Sequence, residues 1–328
     1  MKHLLSISFT LTALLVSGCG PLSQDSTSTQ TNPTVQITHT VTIDAVKQVI
    51  TEAFTTNPQR VATYNFGVLD MMDTIGLDIF GIEHLGLAQA SVPLSLSEYN
   101  DSRYENIGTL FEPDYTALDF FNPQLIILDG RSAALYPTFK TRYPQTDILD
   151  ATLTTYNVST QEAVANNIAL IFPEASSLIE AQMDSIINDI GLINEVAREH
   201  EALFVLSNGD ALTAYGDTGR YNSLHTDFGF KTAVEGIVTE AQHGTSINKE
   251  YLTTHDPEII FMMDRAAAIG ETSGYESFLN DPLVKTLSSY ENNQIFSLNA
   301  QAWYTVSGGF TSTRQMILDI DQFTNVLS

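Results

Sequence analysis

Apolar residues recur at spacings of three and four through residues 173–200, PEASSLIEAQMDSIINDIGLINEVAREH. They are Leu178, Ile179, Met183, Ile186, Ile187, Ile190, Ile193, Val196 and Ala197. That is the period of one helix face, and it predicts one long helix. Pro173 suits a first helical turn, Glu174 complements the positive N-terminal end, and Arg198 with His200 complements the other end. At 1.5 Å per residue such a helix is roughly 40 Å long, which fits either a spine between two lobes or a long helix within one domain. Gly191 inside it costs about 1 kcal/mol relative to alanine.

The flanking halves repeat each other, which favours the spine. PDYTALDFFNPQLIILDGR precedes the helix and INKEYLTTHDPEIIFMMDR follows it. Aligned on Pro123 and Pro257, both place a leucine five residues before the proline, an apolar run after it and an arginine at the same step, Arg131 and Arg265. A proline at a strand entrance followed by a short apolar run describes one α/β unit used twice. The fold class is therefore α/β, two similar lobes joined by a single long helix, with a ligand cleft between the lobes. In open α/β sheets ligands bind outside the carboxyl ends of the strands, where both arginines fall.

Other stretches fill in the lobes. Residues 35–41 alternate like a strand, 60–64 read as another, 67–75 have helical spacing and 79–82 return to an apolar strand. Residues 87–106 are a polar loop, 125–128 a strand, 148–153 another and 160–171 a helix. Beyond the spine, 202–206 and 211–215 form a hairpin through Ser207-Asn208-Gly209-Asp210, and 216–221 is a glycine-flanked loop carrying Arg220. Gln242-His243-Gly244 is a loop, 259–263 a strand ending near Arg265, and 294–298 a strand. Residues 299–309 form a loop with Trp303 and Tyr304, and 313–326 an amphipathic closing helix.

Met1-Lys2-His3 and the apolar run over 4–16 read as a signal peptide, too short to span a membrane as a helix. The run ends Val16-Ser17-Gly18-Cys19, resembling the lipobox of bacterial lipoproteins, in which cleavage leaves an N-terminal cysteine for acylation. The expected organisation is a signal peptide over 1–18, a lipidated tether over 19–33, an N-terminal α/β lobe over 34–172, the connecting helix over 173–200 and a C-terminal α/β lobe over 201–328. Cys19 is the sole cysteine, so no intrachain disulfide and no CxxC site exists. The 328 residues carry 39 acids and 14 bases, a formal charge of −25, which disfavours nucleic acid and anionic membrane faces as partners. An anionic ligand would have to be held by short-range contacts against the protein's own field.

NPQRVATYNFGVLD, ENIGTLFEPDYTAL, NPQLIILDGR, TGRYNSLHTDFGF, HGTSIN, IIFMMDR and AWYTVSGG follow one another along nearly the whole mature chain. In this order they resemble the motifs of the siderophore-binding lipoproteins of bacterial ABC iron importers, the branch handling catecholate siderophores. The resemblance implies two α/β lobes on one long helix, a ferric siderophore between them and little movement on binding. It implies an exported, membrane-anchored monomer that serves an inner-membrane permease, with no enzymatic activity and no cofactor of its own beyond the Fe(III) of its cargo.

Carried to this sequence, it implies that Arg131, Arg220 and Arg265 face the anionic ferric catecholate, and that His243 and Tyr304 complete the coordination of iron for tetradentate ligands. Guanidinium suits the task, being permanently charged and planar and able to bond catecholate oxygens while stacking on rings. On the residues alone, Asp129 beside Arg131 and Asp264 beside Arg265 also fit salt bridges that hold loops, His243 fits a solvated loop residue, and the Trp303-Tyr304 pair fits packing. His225 begins a helix-like run and reads as structural. Related proteins often dock on the permease through one surface glutamate per lobe. Glu250 sits at that position in the second repeat, whereas the first has Thr116, with Glu112 and Asp114 as neighbours able to substitute.

Rival classes find less in the chain. No Gly-x-Ser-x-Gly elbow, His-Glu-x-x-His helix or P-loop supports an exported hydrolase. The mature histidines are scattered, against a zinc-capture site. Haem or cobalamin capture on the same fold is the alternative within binding proteins, and it would not need three arginines beside a histidine and a tyrosine.

Overall fold

The computed structural model describes residues 33–153, 155–234 and 244–327. The predicted signal peptide, Cys19, the tether up to residue 32, and His243 lie outside the described residues. The described part begins with a hairpin, β1 (Thr34–Ile43) paired antiparallel with β2 (Val46–Thr55) along its whole length. Its two turn residues, Asp44 and Ala45, have φ of 50° and 61°, the left-handed geometry that two-residue hairpins favour, with alanine where glycine is usual. The sequence predicts only β1. β2 is largely exposed, so it carries no apolar alternation to read.

A parallel sheet follows, in the order β5-β4-β3-β6-β7. It is built from β3 (Arg60–Thr63), α1 (Phe66–Ile75), β4 (His84–Leu87), β5 (Glu105–Asn106), α2 (Tyr115–Phe121), β6 (Leu125–Leu128), α3 (Tyr136–Arg142) and β7 (Asp147–Asp150). The strand expected over 79–82 is instead part of a turn, entered through Gly76 (φ 106°) and containing Gly81 (φ 65°), and the strand forms only at His84. After α4 (Val158–Ile171) the chain passes through a 3₁₀ turn, Pro173–Ala175, into the predicted long helix, α5 (Ser176–Ala197). Its 22 residues span about 33 Å. Ile179, Met183, Ile186, Ile190, Ile193 and Ala197 are buried, while Leu178, Ile187 and Val196 are exposed, so the packed face is narrower than the apolar pattern.

The second sheet has the order β11-β9-β8-β12-β13, with β10 paired to β8. Its region comprises β8 (Glu201–Asn208), β9 (Ala211–Tyr215), α6 (Ser223–Thr226), β10 (Lys231–Thr232), β11 (Thr245–Ile247), α7 (Lys249–His255) and β12 (Ile259–Asp264). After these come α8 (Arg265–Ala268), α9 (Tyr275–Leu279), α10 (Ser288–Glu291), β13 (Ile295–Ser297), α11 (Ala300–Tyr304) and α12 (Phe310–Leu327). Here β8, β12 and β13 run parallel, and β9 returns antiparallel in the predicted hairpin.

The sequence repeat is a structural one. α2 and α7 each open on a side-chain cap, Asp114 or Asn248, and each buries one leucine completely, Leu118 or Leu252. Each then closes on a left-handed residue, Asn122 or Asp256, before the proline and the strand. Proline just past a helix end cannot continue the helix, so the turn into β6 and β12 is set locally. The expected loop over 299–309 instead contains α11, because the Asn299 side chain caps it at the Ala302 amide, 3.1 Å. The closing helix crosses back to the first sheet's helices. The Asp70 carboxylate of α1 accepts from the Ser312 amide (2.9 Å) and hydroxyl (3.0 Å), and Gln161 of α4 donates to the carbonyls of Gly308 and Gly309, both at 3.1 Å. One apolar core therefore runs from the first sheet through α5 and α12 into the second.

Candidate functional site

A cleft of about 360 Å³ opens where the strands of the first sheet end and α11 crosses. Asn65 enters it after β3, Asp129 and Arg131 after β6, Asp150 and Thr152 at the end of β7 and just beyond. The other wall brings Arg220, Tyr304, Thr305 and Ser307. Carboxyl ends of strands thus supply one side, as the sequence predicts.

Arg131 Nη1 donates to Asp129 Oδ2 and Nη2 to the Tyr304 carbonyl, both at 3.2 Å, and its guanidinium carbon lies 5.3 Å from the Tyr304 ring centre. The salt bridge allowed by the sequence is real here, and it steers the guanidinium towards Tyr304. Arg265 behaves differently. Asp264 does not pair with it but caps α8 at the Ala266 amide, 2.9 Å, and accepts from Ser273 Oγ at the same distance. Arg265 Nε donates to Tyr304 Oη at 3.1 Å and Nη1 to Asn208 Oδ1 at 3.3 Å. Arg265 is not among the cleft-lining residues and meets the cleft through the Tyr304 phenol. Arg220 lies with its guanidinium carbon 5.5 Å from the Tyr156 ring centre.

These charges converge on one phenol. Burial alone would raise the Tyr304 pKa, but the hydrogen bond from Arg265 and the charges of Arg265, Arg131 and Arg220 outweigh it and hold the group below the ordinary tyrosine value. Tyr156, Tyr215 and Tyr221 nearby are all pushed up, chiefly by burial. The surroundings of the half-buried Tyr304 phenol thus favour its anion, whereas burial disfavours ionisation of its tyrosine neighbours. Arg131 keeps its charge: burial opposes it, but the Asp129 carboxylate more than offsets the cost.

The cleft is pinned from behind by three consecutive residues. The Tyr156 amide donates to the Arg220 carbonyl at 2.7 Å, Asn157 Nδ2 to Asn222 Oδ1 at 3.3 Å and the Val158 amide to Asp227 Oδ2 at 2.8 Å. The segment entering α4 is stitched to the segment that carries Arg220, so the cation is positioned by backbone as well as by packing.

Arg131, Arg220 and Tyr304 line the cleft and Arg265 backs it, whereas Glu250 lies away from it, exposed in the first turn of α7. Thr116 holds the equivalent exposed place in α2, and Asp114 is occupied as that helix's cap. His225 is structural, its Nδ1 lying 2.9 Å from the Phe230 carbonyl and its pKa lowered by burial. Trp303 is fully buried, with Nε1 donating to Asp319 Oδ2 at 2.9 Å. Thr40, Thr42 and Lys47 of the hairpin and Phe111 were not legible as site residues, although they line the cleft. Phe111 lies within a motif that marked the loop but not the residue.

Residues 174–302 match the family described as periplasmic binding protein. The chain is 29% identical over 313 residues to the petrobactin-binding protein YclQ of Bacillus subtilis, covering 94% of this chain and 95% of that one. The crystal structure of YclQ superposes with a TM-score of 0.74 at 27% identity, over 88% of this chain and 98% of that one. The periplasmic catecholate-siderophore binding protein VctP of Vibrio cholerae gives 0.72 at 26%, over 87% and 99%. A TroA-like periplasmic binding protein of Xylanimonas cellulosilytica gives 0.77 at 26%, over 89% and 100%. These relatives are binding proteins and not enzymes, and their two-lobed fold is the one described above.

Proposed function

We propose that this chain is a periplasmic binding protein that captures an anionic ferric siderophore of the catecholate type and delivers it to an inner-membrane ABC permease. The observation that carries this reading is the Tyr304 phenol, held below the ordinary tyrosine pKa by three guanidiniums in a chain otherwise poor in bases. Fe(III) is a hard, six-coordinate ion, and phenolate oxygen is a hard donor. A tetradentate bis-catecholate leaves two coordination sites open; Tyr304 takes one, and His243, by family resemblance, takes the other as neutral imidazole. Arg131 and Arg220 hold the catecholate oxygens by charge-assisted hydrogen bonds and stack on the rings, while Arg265 keeps the phenol ionisable.

The names of YclQ and VctP, which bind petrobactin and catecholate siderophores, support the ligand class. The proposal extends to export, a lipid anchor at Cys19 with residues 19–33 as tether, and a periplasmic or cell-surface monomer. Its lobes are 34–172 and 201–328 around the helix of 173–200, and Glu250 contributes to docking on the permease. No helix among the described residues is long and apolar enough to cross a membrane. The test is a fluorescence titration of Trp303, which adjoins Tyr304, against ferric bis- and tris-catecholates, haem and cobalamin. Saturable quenching by the ferric catecholates is the expected outcome. Tighter binding of haem or cobalamin would contradict the reading.

A further inference from the structure

The β1–β2 hairpin forms a wall of the cleft. Thr40 and Thr42 are alternate residues of β1 and so share a face, and Lys47 is the cross-strand partner of Thr42; all three line the cleft. The wall is firmly based: Ile37 and Val41 are completely buried, and Glu52 of β2 accepts from Lys140 and from the Tyr136 hydroxyl, each at 2.7 Å.

Lys47 is unlike the other described basic residues. Every other described lysine or arginine is hydrogen-bonded, ion-paired or stacked on a ring. The exposed Lys47 side chain makes no hydrogen bond or ion pair with any described residue, although the chain holds 39 acids against 14 bases. On the cleft rim, Phe111 is 67% exposed on a loop whose amides at Phe111 and Glu112 are fixed by the Thr109 hydroxyl, at 3.2 and 2.9 Å. An exposed ring on an ordered loop and an exposed lysine without a side-chain partner thus border the cavity that Tyr304 also lines.

We propose that Lys47 and Phe111 form a second subsite of the cleft, which takes an anionic, carboxylate-bearing arm of the siderophore beyond the iron's coordination shell. This rests on the ferric-siderophore reading above. Lys47 supplies the charge-assisted bond to the carboxylate, and Phe111 covers the apolar linker and excludes water from that bond.

Two synthetic ferric bis-catecholates on the same linker test it, one with a free carboxylate and one with that carboxylate amidated. They are titrated against the full chain and its Lys47→Met, Lys47→Arg and Phe111→Ala variants. Lys47→Met should weaken the carboxylate complex about tenfold and the amidated one by less than about twofold, the loss expected for one charge-assisted hydrogen bond. Lys47→Arg should retain most of the difference, and Phe111→Ala should weaken both complexes. Equal losses for the two probes in Lys47→Met, or none, would overturn the subsite while leaving the ferric-siderophore reading intact. Failure of the wild type to bind either probe would overturn both.

Discussion

Gly309 stands where a side chain cannot. A Cβ there would lie 1.8 Å from Asp70 Oδ2, the oxygen that accepts from the Ser312 amide and hydroxyl. Gly67, one turn before Asp70, equally leaves room for the Ser307 carbonyl, 2.5 Å from where its Cβ would be. Two of the sequence motifs, NFGVLD and VSGG, therefore meet as a lock between α1 and the start of α12. Gly309→Ala should cost about 2 to 3 kcal/mol through overpacking and loss of the Asp70 bonds. Gly191 is the opposite case: it sits inside α5 with nothing within 4 Å of its Cβ position, so Gly191→Ala should stabilise by about 1 kcal/mol. Urea midpoints of both variants check the pair, and a destabilised Gly191→Ala would mean that α5 packs differently. At this scale the sequence marked Arg131, Arg265 and Tyr304, because apolar strands lead to the arginines and motifs frame all three. It could not mark Lys47, since nothing in the exposed strand β2 announces which face it shows the cleft.

At the scale of elements, the repeat was readable because its signals are local: a cap, one buried leucine, a left-handed residue, a proline. The stitch between α4 and the Arg220 segment was not, since no local pattern tells that residues 156–158 bond to residues 220, 222 and 227. Asp227 accepts from the Val158 amide at the N-terminus of α4, and burial raises its pKa against that bond and the one from Thr226. Asp227→Ala should cost about 1 kcal/mol as a lost helix-end acceptor. It should also raise amide hydrogen exchange at Tyr156 and Val158 at least severalfold. Unchanged exchange at Tyr156 would show that the three bonds do not act together.

For the whole molecule, the two-lobed α/β architecture was legible from one helical period and one repeat. The return of α12 to the first sheet's helices was not, because the polar contacts are made by individual buried residues far away in sequence, Asp70 and Gln161. That return matters for motion. With α5, α12 and the stitch all joining the two sheets, closure by hinge bending would have to break buried hydrogen bonds, so scattering profiles with and without ligand should nearly superpose. A marked fall in radius of gyration on binding would refute this. Function at this scale comes down to a strongly acidic chain, of formal charge −25, that gathers three of its few arginines around one phenol. The most direct test is a spectroscopic pH titration of the ferric bis-catecholate complex in the wild type, Tyr304→Phe and Arg265→Ala. A phenolate–iron charge-transfer contribution should be present in the wild type and absent in Tyr304→Phe. Removing the Arg265 charge and hydrogen bond raises the Tyr304 pKa, so in Arg265→Ala the same contribution should appear only at higher pH. A wild-type spectrum identical to that of Tyr304→Phe across the pH range would contradict the account.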